Sequence, residues 1–266
     1  MFNLTLYKKE LKGLVKTLVI IGAVLTLYVS VIITMYDPEA MALLDGYVEM
    51  LPELMAAVGM SAGATSLVGF MASYLYGFLL LIMPMVFAVL CGNKVIAKYV
   101  DKGSMVCLLA APVKRRAVAV TQLAVLLSGI VMIAVYTTVL ELAVAIGSFP
   151  GELEVGKLLL LNLGLLCLQL FIGALCFFAS CLFADGKYAF GAGAGVPALM
   201  FILRMLANTG GKAEWIRYVT FFSLFNPGKL IAGSGFAIAG IFILLAAAIG
   251  LFVGAIAVFN KKDLNI

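Results

Sequence analysis

Long apolar runs, separated by short segments that hold nearly all the charge, set the layout of this chain. A helix rises 1.5 Å per residue, so about 20 apolar residues cross the roughly 30 Å hydrocarbon core of a bilayer. Six runs meet that length: Leu18 to Tyr36, Leu67 to Cys91, Val118 to Ala145, Leu158 to Phe183, Tyr188 to Leu206 and Gly235 to Phe259. The pattern predicts an all-α integral membrane protein, a single transmembrane domain over residues 1–266 with six spans. The first run begins only near Leu18, lacks a small-residue cleavage site and is one of several, so no cleaved signal peptide is expected.

Other periodicities fall between the spans. Leu4, Tyr7, Leu11, Leu14 and Leu18 recur at three- and four-residue intervals, with Lys8, Lys12 and Lys16 on another face. This predicts an amphipathic interfacial helix over residues 1–17, lying on the membrane surface. After the first span, Asp37-Pro38-Glu39 has the form of a helix start, and Leu44, Val48, Leu51, Met55 and Val58 repeat at helical spacing, with Pro52 expected to split the element. Before the last span, Trp215, Tyr218, Phe221, Phe222 and Phe225 crowd together, as aromatics do at headgroup level. A re-entrant or interfacial segment is expected there, because a further crossing would move the Lys-bearing tail to the other side. Pro84 should kink the second span.

Composition agrees with the pattern: 65% of the 266 residues are hydrophobic and 12% charged, far from the balance of a soluble domain. Membrane proteins collect Lys and Arg on the cytoplasmic side, which accounts for the net charge of +5 without nucleic acid as a partner. Lys8 to Lys16, the loop holding Lys94 to Arg116, and Lys261-Lys262 are therefore expected inside, whereas the stretch from Asp37 to Ser66 carries acids and no base. Both termini are then cytoplasmic in a multi-pass plasma-membrane protein. Lys212, Arg217 and Lys229 run against this pattern on the outer side.

Catalytic chemistry is not visible. There is no His, and the five cysteines show neither a disulfide framework nor metal-ligand spacing. Two charged residues lie within spans, where charge is costly and marks a functional candidate: Glu141 and Arg204. Similar depth near the outer ends of the third and fifth spans would let them pair as an outer-gate latch, or each could snorkel independently. The polar groups Thr26, Ser73, Asn162, Gln169 and Ser180 compose no ion site by spacing. Gly191 and Gly195, in a G-x-x-x-G relation, read as a packing or dimer face, and Gly250 and Gly254 repeat that spacing.

The inner loop from Asn93 to Arg116 carries the most information. Asp101 can cap a short helix with Met105, Leu108 and Leu109 on its apolar side, ended by Pro112. Such a helix, framed by Lys102, Lys114, Arg115 and Arg116, would suit docking of a soluble partner, although a plain positive-inside loop needs the same bases. Asp101-Lys102-Gly103-Ser104, then Leu108-Leu109, then Pro112-Val113-Lys114-Arg115 resembles the acid-x-Gly-Ser/Thr, Leu-Leu, Pro-Val-x-Arg stretch of ABC-2 type ABC transporter permease subunits. Leu51-Pro52-Glu53, Phe225-Asn226-Pro227 and Lys262-Asp263-Leu264 are similar to that family at matching places along the chain.

The resemblance implies a permease subunit that pairs with a second permease and with ATP-binding-cassette ATPase subunits. Asp101, Gly103, Ser104, Met105, Leu108, Leu109, Pro112 and Arg115 would form its coupling helix. It also implies a dimer interface drawn largely from the first and fifth spans. No G-x-x-x-x-G-K-[ST] phosphate loop occurs in the chain, so ATP and Mg2+ are expected in the ATPase partner and no cofactor here. A membrane scaffold or sensor subunit recruiting a cytosolic protein, and a secondary transporter, are the alternative readings.

Overall fold

A computed structural model describes residues 2–37, 46, 50–60, 66–94, 115–183 and 185–261. The described residues form helices and no strand. In chain order these are α1 (Leu4–Thr34), α2 (Pro52–Ala57), α3 (Leu67–Tyr74), α4 (Leu79–Lys94), α5 (Arg115–Ser148), α6 (Val155–Leu182), α7 (Gly186–Asn208), α8 (Pro227–Ile231) and α9 (Gly235–Lys261). Two 3-10 helices, Gly211–Tyr218 and Phe221–Leu224, lie between α7 and α8. Among the described residues five helices are long and apolar enough to cross a membrane, and α3 with α4, bent at the break between them, makes six if the pair is counted as one span.

The first span departs from expectation. Asn3 caps α1 through its side chain, accepting from the Leu6 N–H at 3.0 Å, and the helix then runs without a break to Thr34. The amphipathic stretch and the first apolar run thus form one continuous helix, with no break between them. The reason is lateral. The Asn3 N–H donates to Thr121 Oγ1 at 3.0 Å, and the Tyr7 hydroxyl bonds Ser128 Oγ at 2.7 Å. These contacts tie the first turns of α1 to the first turns of α5, and the two helices run side by side in one direction.

The second span is broken, and not at Pro84. The axis turns by 50° between α3 and α4, whereas Pro84 sits inside α4. At the break, the backbone of Gly77 approaches that of Gly59: a Cβ on Gly77 would lie 2.9 Å from the carbonyl oxygens of Val58 and Gly59. Gly59 adopts φ +81°, a conformation only glycine takes without strain. The segment after α2 therefore presses into the gap between α3 and α4. Ser66 fixes where α3 begins, accepting from the Gly69 N–H at 3.1 Å.

α6 forms the centre of the bundle. In its most apolar stretch 67% of residues are buried inside the protein, against 22% for α1, which lies at the periphery. α4 lies along α6 with a constant offset: Gln169 Nε2 donates to the Leu81 carbonyl at 3.1 Å, and Ser180 Oγ to the Gly92 carbonyl at 2.9 Å, both across 88 residues. Close approach at Gly92 makes the second bond reachable, since a Cβ there would strike Cys176 Cβ.

The stretch between α7 and α9 holds no helix long enough to cross a membrane; Asn226 starts α8 by accepting from the Lys229 N–H at 3.1 Å, with Pro227 in the first turn. Its aromatics divide: Phe222 and Phe225 are buried, while Trp215 and Tyr218 are 64% and 89% exposed. Pro52 begins α2, as expected of a proline that splits an element. The rest of the expected helix after Asp37 lies largely outside the described residues.

Candidate functional site

The best-defined polar site lies inside the bundle. Glu141, on α5, is fully buried, and its Oε2 accepts two hydrogen bonds, from the Tyr76 hydroxyl at 2.8 Å and from Asn162 Nδ2 at 2.6 Å. Each partner comes from a different span. Tyr76 belongs to the break between α3 and α4, where the backbone turn directs it inward, and Asn162 sits on the first third of α6. The Asn162 amide also donates to the Leu158 carbonyl at 3.3 Å, which holds its plane. Phe225, from the segment before α9, packs against the Tyr76 ring with centroids 6.5 Å apart and against the α6 backbone at Gly164. One carboxylate thus joins the second, third and fourth spans.

Glu141 Oε1 has no hydrogen-bond partner among the described residues. A carboxylate in a dry interior keeps its geometry only where donors replace lost water, and here one oxygen takes both. The site ties three parts of the bundle together through Oε2 and leaves Oε1 unpartnered among the described residues.

Arg204 does not complete it. Glu141 and Arg204 form no ion pair in this structure; the ion pairs among the described residues are Lys157 with Glu154 and Arg217 with Glu214, at 2.6 and 3.8 Å. The Arg204 guanidinium lies over the Phe222 ring, 5.9 Å from its centroid, within range of a cation–π contact. Its Nη1 is buried without a hydrogen-bond partner. An aromatic face has taken the arginine, and a tyrosine and an asparagine have taken the acid. Because nothing links the pair here, reversing both charges is expected to give the sum of the single effects within about 0.5 kcal/mol in unfolding measurements. Rescue of either single variant by the other would count against this arrangement.

The expected coupling helix lies outside the described residues for Asp101, Gly103, Ser104, Met105, Leu108, Leu109 and Pro112. Its two borders are described. On one side α4 is described as far as Lys94, just after the Gly92 carbonyl is bonded to Ser180; on the other, α5 is described from Arg115, which is exposed.

The glycine expectations sort by contact. Around Gly191 and Gly195 nothing among the described residues lies within 4 Å of an added Cβ. The intervening Gly193 is the close one, its carbonyl accepting from Cys176 Sγ at 3.0 Å. In α9, Gly250 is open and Gly254 faces the Phe178 ring at ordinary contact distance, whereas Gly240, which spacing did not single out, lies against the Leu224 carbonyl. Asn162 was visible as a polar residue in a span. Tyr76 carried no such signal, because a tyrosine in an apolar run reads as core.

A family model described as "ABC-2 family transporter protein" matches residues 4–264. Comparison with curated proteins and with solved structures gave no match.

Proposed function

The chain belongs to the ABC-2 family of transporter proteins, and on that premise we propose that it is the permease subunit of an ATP-driven exporter. Two permease subunits, alike or different, line the path. Separate ATP-binding-cassette subunits hold ATP and Mg2+ and supply the energy. The observation that carries this reading is the family match itself, which runs through all six spans and the segment from Asp101 to Arg115, in a chain without a phosphate-binding loop of its own.

In this reading the segment from Asp101 to Pro112 docks on the ATPase, with Met105, Leu108 and Leu109 as its apolar contact. It is strung between α4, bonded to α6 at its end, and the start of α5. A push on the segment would be felt by both helices and so by the junction at Glu141, where they meet again. The plasma membrane is the setting, with both termini on the cytoplasmic side, as the basic residues near Lys8 to Lys16 and Lys261 favour. The open face at Gly191 and Gly195 suits contact with the second permease.

The test is co-purification. An ATP-binding-cassette ATPase should accompany the tagged chain from its native membrane and be lost when Leu108, Leu109 and Arg115 are replaced together, while the variant chain still inserts and purifies. Retention of the ATPase by that variant would remove the docking role, and absence of any ATPase from the parent chain would favour a scaffold.

A further inference from the structure

A groove of about 510 Å3 runs between α1 and α5 on the outside of the bundle. Val15, Val19, Gly22 and Thr26 form one wall, Met132 and Tyr136 the other. The α1 residues follow one another at intervals of four, three and four, which keeps them on one helix face. Continued toward the N-terminus, the same alternation reaches Lys12 and then Lys8. Both lysines are exposed, as is Lys16 beside them, and none forms an ion pair among the described residues.

The depth of the groove is informative. Val15 to Thr26 spans about 16 Å along the helix axis, close to half of the roughly 30 Å hydrocarbon core. The groove therefore begins where the charges of α1 end and stops near mid-bilayer. There Tyr136 and Thr26 hydrogen-bond through their hydroxyls, and Thr26 Oγ1 donates to the Gly22 carbonyl at 2.7 Å, so no polar group is left open at the far end. An occupant needs one apolar arm about one leaflet long and an anionic group at its foot.

We propose that this groove is a binding site for an anionic phospholipid, with the headgroup phosphate on Lys8 and Lys12 and one acyl chain laid along Val15 to Thr26. A second copy of the chain fits less well. A symmetric partner in the same membrane would meet Lys8 and Lys12 with residues of the same layer, and among those described this layer holds Arg115, Arg116, Lys187 and Lys261 against Glu10 and Asp185. Like charge would face like charge. A neutral lipid would fill the apolar arm but leave the lysine stripe unanswered.

Native mass spectrometry of the full chain, purified and delipidated in detergent, tests this with dioleoyl phosphatidylglycerol and dioleoyl phosphatidylcholine as probes. Phosphatidylglycerol should bind in preference. Joint Lys8→Gln and Lys12→Gln should weaken it on the order of tenfold, since a lysine near a membrane surface contributes up to about fivefold, and bring it level with phosphatidylcholine. Lys9→Gln, an exposed lysine off this face, should change binding less than about twofold on the same scale. Gly22→Leu fills the groove, where an added Cβ meets only the Tyr136 ring at 3.6 Å, and should reduce retention of both lipids. Equal binding of the two lipids by the parent chain would overturn the proposal. So would a Lys9→Gln effect as large as that of the stripe, or a Gly22→Leu variant that turns a dimer into a monomer with lipid retention unchanged. If Gly22→Leu does not fold, the exposed lysine variants decide alone.

Discussion

Glu141→Ala is expected to cost about 2–5 kcal/mol of stability, because it leaves the Tyr76 hydroxyl and the Asn162 amide as two buried donors without an acceptor, each worth about 1–3 kcal/mol. Denaturant or thermal unfolding of the purified chain in micelles measures this directly. Glu141→Gln keeps a carbonyl oxygen that both donors can reach, so its loss should be less than half as large. Tyr76→Phe removes one donor and leaves the other bond in place, at a cost of about 1 kcal/mol. Introduced on top of Glu141→Ala, the same Tyr76→Phe should restore stability, since it takes away an orphaned hydroxyl. Without that sign reversal in the double-mutant cycle, the two side chains are not coupled as the geometry requires.

Gly240→Ala carries the second large effect. Its new methyl would overlap the Leu224 carbonyl, part of a backbone pinned between Phe222, which is buried, and the Asn226 cap. Neither side can yield cheaply, and overpacking of this kind costs about 1–3 kcal/mol or more. Gly191→Ala and Gly195→Ala meet nothing within 4 Å and sit inside a helix, where alanine is the better former, so each should leave the folded chain unchanged or stabilise it by up to about 1 kcal/mol. A cross-linking assay of permease pairing reads those two variants separately: loss of pairing without loss of stability would place the second subunit on that face. Equal destabilisation by Gly240→Ala and Gly195→Ala would contradict the contact pattern around α9.

Hydrophobic length was sufficient to locate the helices of the last four apolar runs, because a helix that must satisfy its own backbone in lipid is as long as its apolar run. Val118 to Ala145 lies within α5, Tyr188 to Leu206 within α7, and Gly235 to Phe259 within α9, each extended by a turn or less. The second apolar run hides its break, since Leu67 to Cys91 carries no charge and the backbone that packs at the break, Val58 and Gly59, lies outside the run. The first span hides its continuity. Lys8, Lys12 and Lys16 make its beginning look like a separate surface helix, while the groups that bind it to α5, the Asn3 N–H and the Tyr7 hydroxyl, give no periodic signal. At the junction, charge inside a span pointed to Glu141 but not to its partners. Charge complementarity suggested Arg204; the donors that hold the acid are neutral, and which neutral donor lies near follows only from how the spans turn.

The length of α5 has a mechanical meaning. From Arg115 to Glu141 the helix extends about 39 Å at 1.5 Å per residue, longer than the roughly 30 Å hydrocarbon core. Side-chain hydrogen bonds to Tyr76 and Asn162 hold it near one end, and bonds from Asn3 and Tyr7 tie its other half to α1, on the side of the segment proposed to meet the ATPase. A straight rod of that length, pivoting at Glu141 through about 10°, carries Arg115 by roughly 7 Å, more than one helical turn of 5.4 Å. α1 would travel with it, through Asn3 and Tyr7. Under the proposed coupling, the helix would act as a lever, turning a small rotation at a buried carboxylate into a full-turn displacement at its far end, and the reverse for a push delivered there.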